Sequence, residues 1–239
     1  MVRKIGSYFK SFVKKSPVLA FLAGLTLVGI ILSMVFLFET PEDVVTAMPL
    51  FISIIIMLLQ SEANRYALLL GSINSIFYAV VYFMFGLHAS ALSALCLSFP
   101  IQLLTFIRWN KNKYKNSTVF KKMSWKMRGL AVIAGVIAVL ILNVALEKSS
   151  EYYLLDNISN AAGISVYILT YFSFVEYPIL QILGLILGST NYIIMMADGQ
   201  YTIIPHLIYN AYCLVCLIKA AISVFRLYRE QQKHNDKTI

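Results

Sequence analysis

The chain has 239 residues, of which 59% are hydrophobic and 13% charged, with a mean hydropathy of +0.76 and a formal net charge of +9. A soluble domain of this length could not bury so much apolar surface, so lipid is the solvent, and the apolar runs are too long and continuous for barrel strands. A basic excess points to nucleic acid only when it is gathered on a solvated face, and here its distribution follows a membrane instead.

Residues 1–16 carry Arg3, Lys4, Lys10, Lys14 and Lys15 and no acid, with Ile5, Tyr8, Phe9, Phe12 and Val13 on one helical face. Such a segment lies on the inner membrane surface. The run 17–38 that follows is too long for a signal-peptide core and lacks a small-residue cleavage site, so it is the first spanning helix. Seven further runs follow at 44–60, 66–85, 88–107, 129–146, 154–174, 178–197 and 200–225, the shortest interrupted by Pro49. The expected fold is therefore an all-α polytopic membrane protein of eight helices, with both termini on one side.

The positive-inside rule orients it. The N-terminus, Arg65, the segment 108–128 and the tail from Arg226 together hold 18 of the 20 basic residues, and all fall on one side. Lys219 lies near the inner end of the last run, where it can snorkel. The opposite loops collect Glu39, Glu42, Asp43, Glu147, Glu151, Asp156 and Asp198, with Lys148 alone among them. The basic loop 109–128 reads as a solvated surface facing anionic headgroups.

One short pattern recurs. Leu70-Gly71-Ser72-Ile73-Asn74 is matched by Leu187-Gly188-Ser189-Thr190-Asn191, each in an apolar run that ends at a glycine turn, Gly86 and Gly199. The repeat divides the chain into an extra first helix (17–38), one triplet (44–108), a linker helix (129–146), a second triplet (154–225) and an inner-side tail (226–239). Two like-oriented triplets suggest a carrier with its site between them.

Catalytic patterns are poorly represented. No His-x-x-x-His pair, phosphate-binding loop or dinucleotide turn occurs, so neither cofactor nor metal is expected. His206 is the one candidate base for a membrane enzyme, and Cys213-x-x-Cys216 reads as packing. The runs do hold uncharged polar and aromatic residues at helical spacing: Asn74, Phe77, Tyr78, Val81 and Phe85; Ser98 and Gln102 beside Pro100; and Asn157, Asn160, Tyr167 and Tyr171. The last two runs add Gln181, Gly184, Gly188, Asn191, Tyr192 and Met195, then His206, Tyr209, Asn210 and Cys213. Polar groups at membrane depth usually face the bundle interior or a water-filled path. Amides donate and accept, and tyrosine offers a flat face, so the candidate substrate-binding set is Asn74, Tyr78, Gln102, Asn160, Gln181, Asn191, Tyr209 and Asn210. Gly184-x-x-x-Gly188 is expected to let two helices approach closely.

Gly86-Leu87-His88-Ala89-Ser90-Ala91-Leu92, then Thr105-Phe106-Ile107-Arg108-Trp109 and Ser124-Trp125-Lys126, resemble the first repeat of the PnuC family of vitamin transporters. The similarity covers most of 66–128 and, more faintly, 176–228. The resemblance implies a SWEET-like three-plus-one-plus-three fold with an extra first helix. It also implies facilitated diffusion of an unphosphorylated vitamin precursor, typically nicotinamide riboside, trapped by cytosolic phosphorylation. The family's nicotinamide riboside members resemble one another in a Trp-x-x-Trp pair on the seventh helix, where this chain has Gln181-Ile182-Leu183-Gly184. Thiamine, riboflavin and deoxynucleosides therefore stay in play as substrates. The expected partners are a small solute and the bilayer of the inner membrane, without nucleic acid, and a homo-oligomer is allowed. A membrane enzyme, a non-transporting sensor or partner subunit, and a SWEET-type sugar carrier are the rival readings.

Overall fold

The structure, a computed structural model, describes residues 16–145 and 152–235. The inner-surface segment expected at the N-terminus, the loop holding Glu147, Lys148 and Glu151, and the last four residues lie outside the described residues. Counting His88–Lys111 as one rod, the described residues form eight helices: α1 Pro17–Leu37, α2 Pro41–Ser61, α3 Tyr66–Met84, α4 His88–Lys111, α5 Trp125–Ala145, α6 Tyr153–Tyr171, α7 Tyr177–Ala197 and α8 Ile204–Asn235. Six of them, α1 to α4, α7 and α8, are long and apolar enough to cross a membrane.

Local chemistry explains where the helices begin and bend. Thr40 and Asp43 form a reciprocal capping box and Pro41 stands at the first turn, so α2 starts before its apolar pattern does. In α4, residues Ala94–Ser98 form a π turn immediately before Phe99 and Pro100. Pro100 has no N–H for the preceding turn and its ring crowds that turn's carbonyl, and the wider turn accommodates both. A 3-10 turn, Tyr201–Ile203, leads into α8, which runs ten residues past the expected end of its apolar run.

Six helices form a ring. Neighbours α2, α3 and α4 pack in sequence, as do α6, α7 and α8, and the ring closes where α8 meets α2 and α4 meets α6. Helix α1 lies outside it against α2 and α8, and α5 leans on α6. Their outward residues, such as Phe21, Phe36, Ile133 and Val144, are exposed and suit lipid. Gly184 and Gly188 do face α6 closely: a Cβ at either would lie 3.7 Å from Ala162 Cβ or 3.3 Å from Ser159 Oγ.

The two triplets turn in the same way. At the α2–α3 turn Ala63 has φ 51°, and Ala63 and Asn64 donate to the carbonyls of Gln60 and Leu59. At the α6–α7 turn Ser173 has φ 62°, and Ser173 and Phe174 donate to Thr170 and Leu169. Gly86 and Gly199, with φ 69° and 91°, close α3 and α7 with a second matched pair of bonds, from Gly86 and Leu87 to Phe83 and Tyr82, and from Gly199 and Gln200 to Met196 and Met195. These left-handed positions suit glycine, which carries no Cβ. The turns set a different register from the Leu-Gly-Ser-x-Asn match. Asn74 stands 11 residues past Ala63, whereas Asn191 stands 18 past Ser173, about two helical turns further along.

The basic loop is more structured than a solvated run. Its residues form a small antiparallel ribbon, β1 Lys113–Tyr114 with β2 Ser117–Thr118, turning at Lys115 with φ 50°. Phe120 and Met123 join Trp109, Tyr177 and Val224 in an apolar cluster at this basic end. Lys121 exchanges backbone hydrogen bonds with Ser173 and Val175, and the Gln231 side chain accepts from Phe120 N and donates to the Thr118 carbonyl. The α8 extension is thus packed on the ribbon. Lys219 is also fixed, between the Glu62 carboxylate and Ser16 Oγ, each at 2.5 Å, which ties α1, α2 and α8 together at this end.

Candidate functional site

A cavity of about 370 Å³ runs between the two triplets, with walls from all six ring helices. Among the described residues its lining contains no Asp, Glu, Lys or Arg. Amides, hydroxyls and tyrosine rings supply its polarity. Seven of the residues expected from the sequence face it: Asn74, Tyr78, Gln102, Asn160, Gln181, Tyr209 and Asn210. Asn191 does not. It is buried at 2% exposure beside Tyr192, which does line the wall, and the turn register explains its displacement from the level of Asn74.

Four of the five cavity amides expected from the sequence, Asn74, Gln102, Gln181 and Asn210, are held by a neighbour. The Asn74 amide donates to Ser53 Oγ at 2.7 Å and to the Pro49 carbonyl at 3.2 Å, joining α3 to α2. Its Oδ1 is buried without a partner. Tyr78 OH lies 3.1 Å from Ser53 Oγ and its ring stacks on Tyr82 at 5.4 Å. Gln102 donates to Ser98 Oγ at 2.6 Å and Ser75 Oγ at 3.1 Å, and lies against Gly71 so closely that a Cβ there would come within 2.2 Å of its Oε1. The π turn carries Ser98 into this group. Across the ring, Gln60 donates to Gln181 Oε1, joining α2 of one triplet to α7 of the other. Asn210 donates to Ser189 Oγ at 2.9 Å.

Aromatic residues bound both ends. At the basic end Trp109 is buried, donates its indole N–H to the Thr170 carbonyl at 3.0 Å, and meets Phe120 and Tyr177 edge-on. At the acidic end Leu87, Tyr192, Met195 and Ile203 cluster with Tyr82 and Phe85. Here Asp156 departs from expectation. It is not in a loop but in the first turn of α6, buried at 3% exposure, where its carboxylate accepts from Ala89 N at 3.1 Å, Ser90 N at 3.4 Å and the Ser90 hydroxyl. A carboxylate at the exposed N–H groups of α4 is favourable on both hydrogen-bonding and dipole grounds, and it fastens one triplet to the other.

Gln60, Trp109 and His206 were not among the expected site residues, and all three line the cavity. Gln60 closes an apolar run and Trp109 precedes a basic loop, so both read as boundary residues. The signal for Trp109 was its indole N–H, which demands an acceptor once buried. Phe77 went the other way: it is 48% exposed, on the lipid side of α3. Cys213 and Cys216 sit in the apolar cluster of α1, α2 and α8.

Residues 43–231 match the family described as Nicotinamide mononucleotide transporter. The chain belongs to that family. It is accordingly a multi-pass membrane transporter. Among solved structures it is similar to one described as "Crystal structure of the Vitamin B3 transporter PnuC", with a TM-score of 0.76, 20% identity, and coverage of 90% of this chain and 92% of that one. The likeness extends over nearly the whole helical ring and supports the fold. No curated protein sequence matches this chain.

Proposed function

We propose that this transporter carries an unphosphorylated vitamin precursor, nicotinamide riboside or a close analogue, by facilitated diffusion through the cavity between its triplets. The observation that carries this reading is the charge-free wall of amides and tyrosines. A flat heterocycle can stack on Tyr78, Tyr82 or Tyr209 while hydroxyls and amides exchange hydrogen bonds with Asn74, Gln102, Asn160, Gln181 and Asn210. The volume falls in the ordinary range for small-ligand pockets, roughly 300–1,000 Å³. A phosphate dianion would need a guanidinium or ammonium to replace its water, and the wall offers none, so desolvation favours an unphosphorylated solute over a nucleotide. Cytosolic phosphorylation would then trap the solute.

The two triplets act as rocking halves, an arrangement supported by their matched turns and by the closure of the ring at α8–α2 and α4–α6. The absence of acids from the wall favours passive movement over proton coupling. The basic end, with Lys113, Lys115, Lys121 and Arg226, belongs in the cytoplasm of an inner-membrane protein, which puts both termini there. Thiamine, riboflavin or a deoxynucleoside is the second reading. It is favoured because Gln181 and Gly184 line the wall where a clamping tryptophan pair would stand, leaving room for another ring system.

Tracer uptake into proteoliposomes tests this. Labelled nicotinamide riboside should enter down its gradient and be recovered unaltered, independently of a pH gradient. Unlabelled thiamine, riboflavin and thymidine rank the alternatives as competitors, while nicotinamide mononucleotide and glucose should not compete. Equal signals from protein-containing and empty liposomes for every solute would refute transport of this class and leave a sensor or partner subunit.

A further inference from the structure

His206 stands at the acidic end of the cavity, in the first turn of α8. It is 1% exposed, and among the described residues neither ring nitrogen has a hydrogen-bond partner. The Thr46 carbonyl faces it from α2 without reaching hydrogen-bond geometry. The ring is instead held by aromatic neighbours. Phe85, which caps α3, meets it at 5.4 Å and 83°, and Tyr192 of α7 at 5.8 Å and 68°, so both rings pack crosswise on the imidazole.

A leucine or phenylalanine would pack against Phe85 and Tyr192 without burying two polar nitrogens. Buried polar groups are ordinarily satisfied, and one that is not calls for an explanation in function. A neutral imidazole presents one donor and one acceptor in a fixed plane, the complement of a hydroxyl, which also does both. The cavity offers the tyrosine pair Tyr78–Tyr82 for a ring on the same side as His206. A solute stacked there has its hydroxyl-bearing arm within the same enclosure.

We infer that His206 is a solute-binding residue, whose imidazole exchanges a hydrogen bond with a hydroxyl on the sugar or sugar-like arm of the transported molecule. The assignment rests on the carrier reading above and adds to it the polar anchor at the acidic end. Phe85 and Tyr192 then hold the imidazole in place, and the solute hydroxyl completes its hydrogen bonding.

The test uses purified full-length protein titrated with nicotinamide riboside, riboflavin, thiamine and thymidine, following thermal shift and calorimetric affinity. The solute bound most tightly by wild type is then titrated into His206→Leu, His206→Asn and His206→Gln. The leucine variant should bind about tenfold more weakly or worse. One of the amide variants, which put a nitrogen or oxygen near where Nδ1 or Nε2 stands, should recover most of that loss. Without solute, the leucine variant should melt no lower than wild type, because it removes two unpartnered nitrogens. An analogue of the solute lacking the contacted hydroxyl should bind wild type and His206→Leu alike. Unchanged affinity in the leucine variant would overturn the inference, as would a leucine variant that loses stability and affinity together with no rescue by either amide. Wild-type protein that bound none of the four solutes would refute the vitamin-carrier reading itself and withdraw this inference with it.

Discussion

Replacing Asn74 by leucine separates the packing role of an amide from its role toward the solute. In the empty protein the change deletes two hydrogen bonds to α2, to Ser53 Oγ and the Pro49 carbonyl. Such bonds between membrane helices contribute about 0.6 kcal/mol each on average, so the loss is about 1 kcal/mol. Against it stands the removal of a buried, unpartnered Oδ1, whose desolvation costs about 1–3 kcal/mol. The two terms nearly cancel, and the ligand-free melting temperature should stay close to that of wild type. With solute bound the balance changes, because Asn74 lines the cavity and its replacement removes a hydrogen-bonding partner from the solute. That costs about 1–3 kcal/mol, or about 5- to 150-fold in affinity. Proteoliposome uptake at subsaturating solute should fall by that factor while the amount of reconstituted protein holds. Asn191→Leu, at an amide off the wall, should weaken uptake less. Wild-type uptake by Asn74→Leu, or a collapse of its ligand-free stability, would refute the reasoning.

Substitutions at three other positions probe the frame around the cavity. Asp156→Ala strands the Ala89 and Ser90 donors at the start of α4 and should lower the melting temperature by an amount equivalent to about 1–3 kcal/mol, whereas an unchanged melting curve would show that the α4–α6 junction does not depend on this carboxylate. Trp109→Phe keeps the ring contacts and loses one hydrogen bond to a carbonyl that still accepts from Ser173, a change of about 1 kcal/mol, while Trp109→Ala also leaves a void and should cost about 3–5 kcal/mol; denaturant unfolding of the pair in detergent reads the ratio. Gly71→Ala pushes the Gln102 amide off Ser75 and Ser98, and because only the end of a flexible side chain must move, solute affinity should drop while thermal stability is largely kept.

The membrane class, the eight helices and the carrier family were legible in the chain because they depend on quantities that add along it. Apolar length decides whether a helix spans, and basic residues segregate by loop whatever the helices do next. Seven of the eight expected site residues face the cavity for a related reason: an uncharged polar side chain in an apolar run has few places to go except inward. The misplacements share a cause as well. The Leu-Gly-Ser-x-Asn match put Asn191 level with Asn74, but hydrogen-bonded turns at Ala63 and Ser173 define the register of the triplets, and short sequence similarity does not report backbone bonding. Asp156 read as a loop acid because its partners, Ala89 and Ser90, are 66 or 67 residues away in sequence. The α4–α5 loop read as solvated because its lysines outnumber the residues that anchor it, Phe120 and Met123.

Composition and periodicity by themselves determined that this chain folds in lipid as a helical bundle with one basic and one acidic end, since partitioning and charge segregation act on each segment separately. Only the tertiary structure decided which amides keep an unspent acceptor, that Gln60 of α2 meets Gln181 of α7, and that His206 is buried with both nitrogens unpartnered. Those facts arise where helices distant in sequence converge, and a hydrogen bond between them is set by a few tenths of an ångström that no single segment encodes.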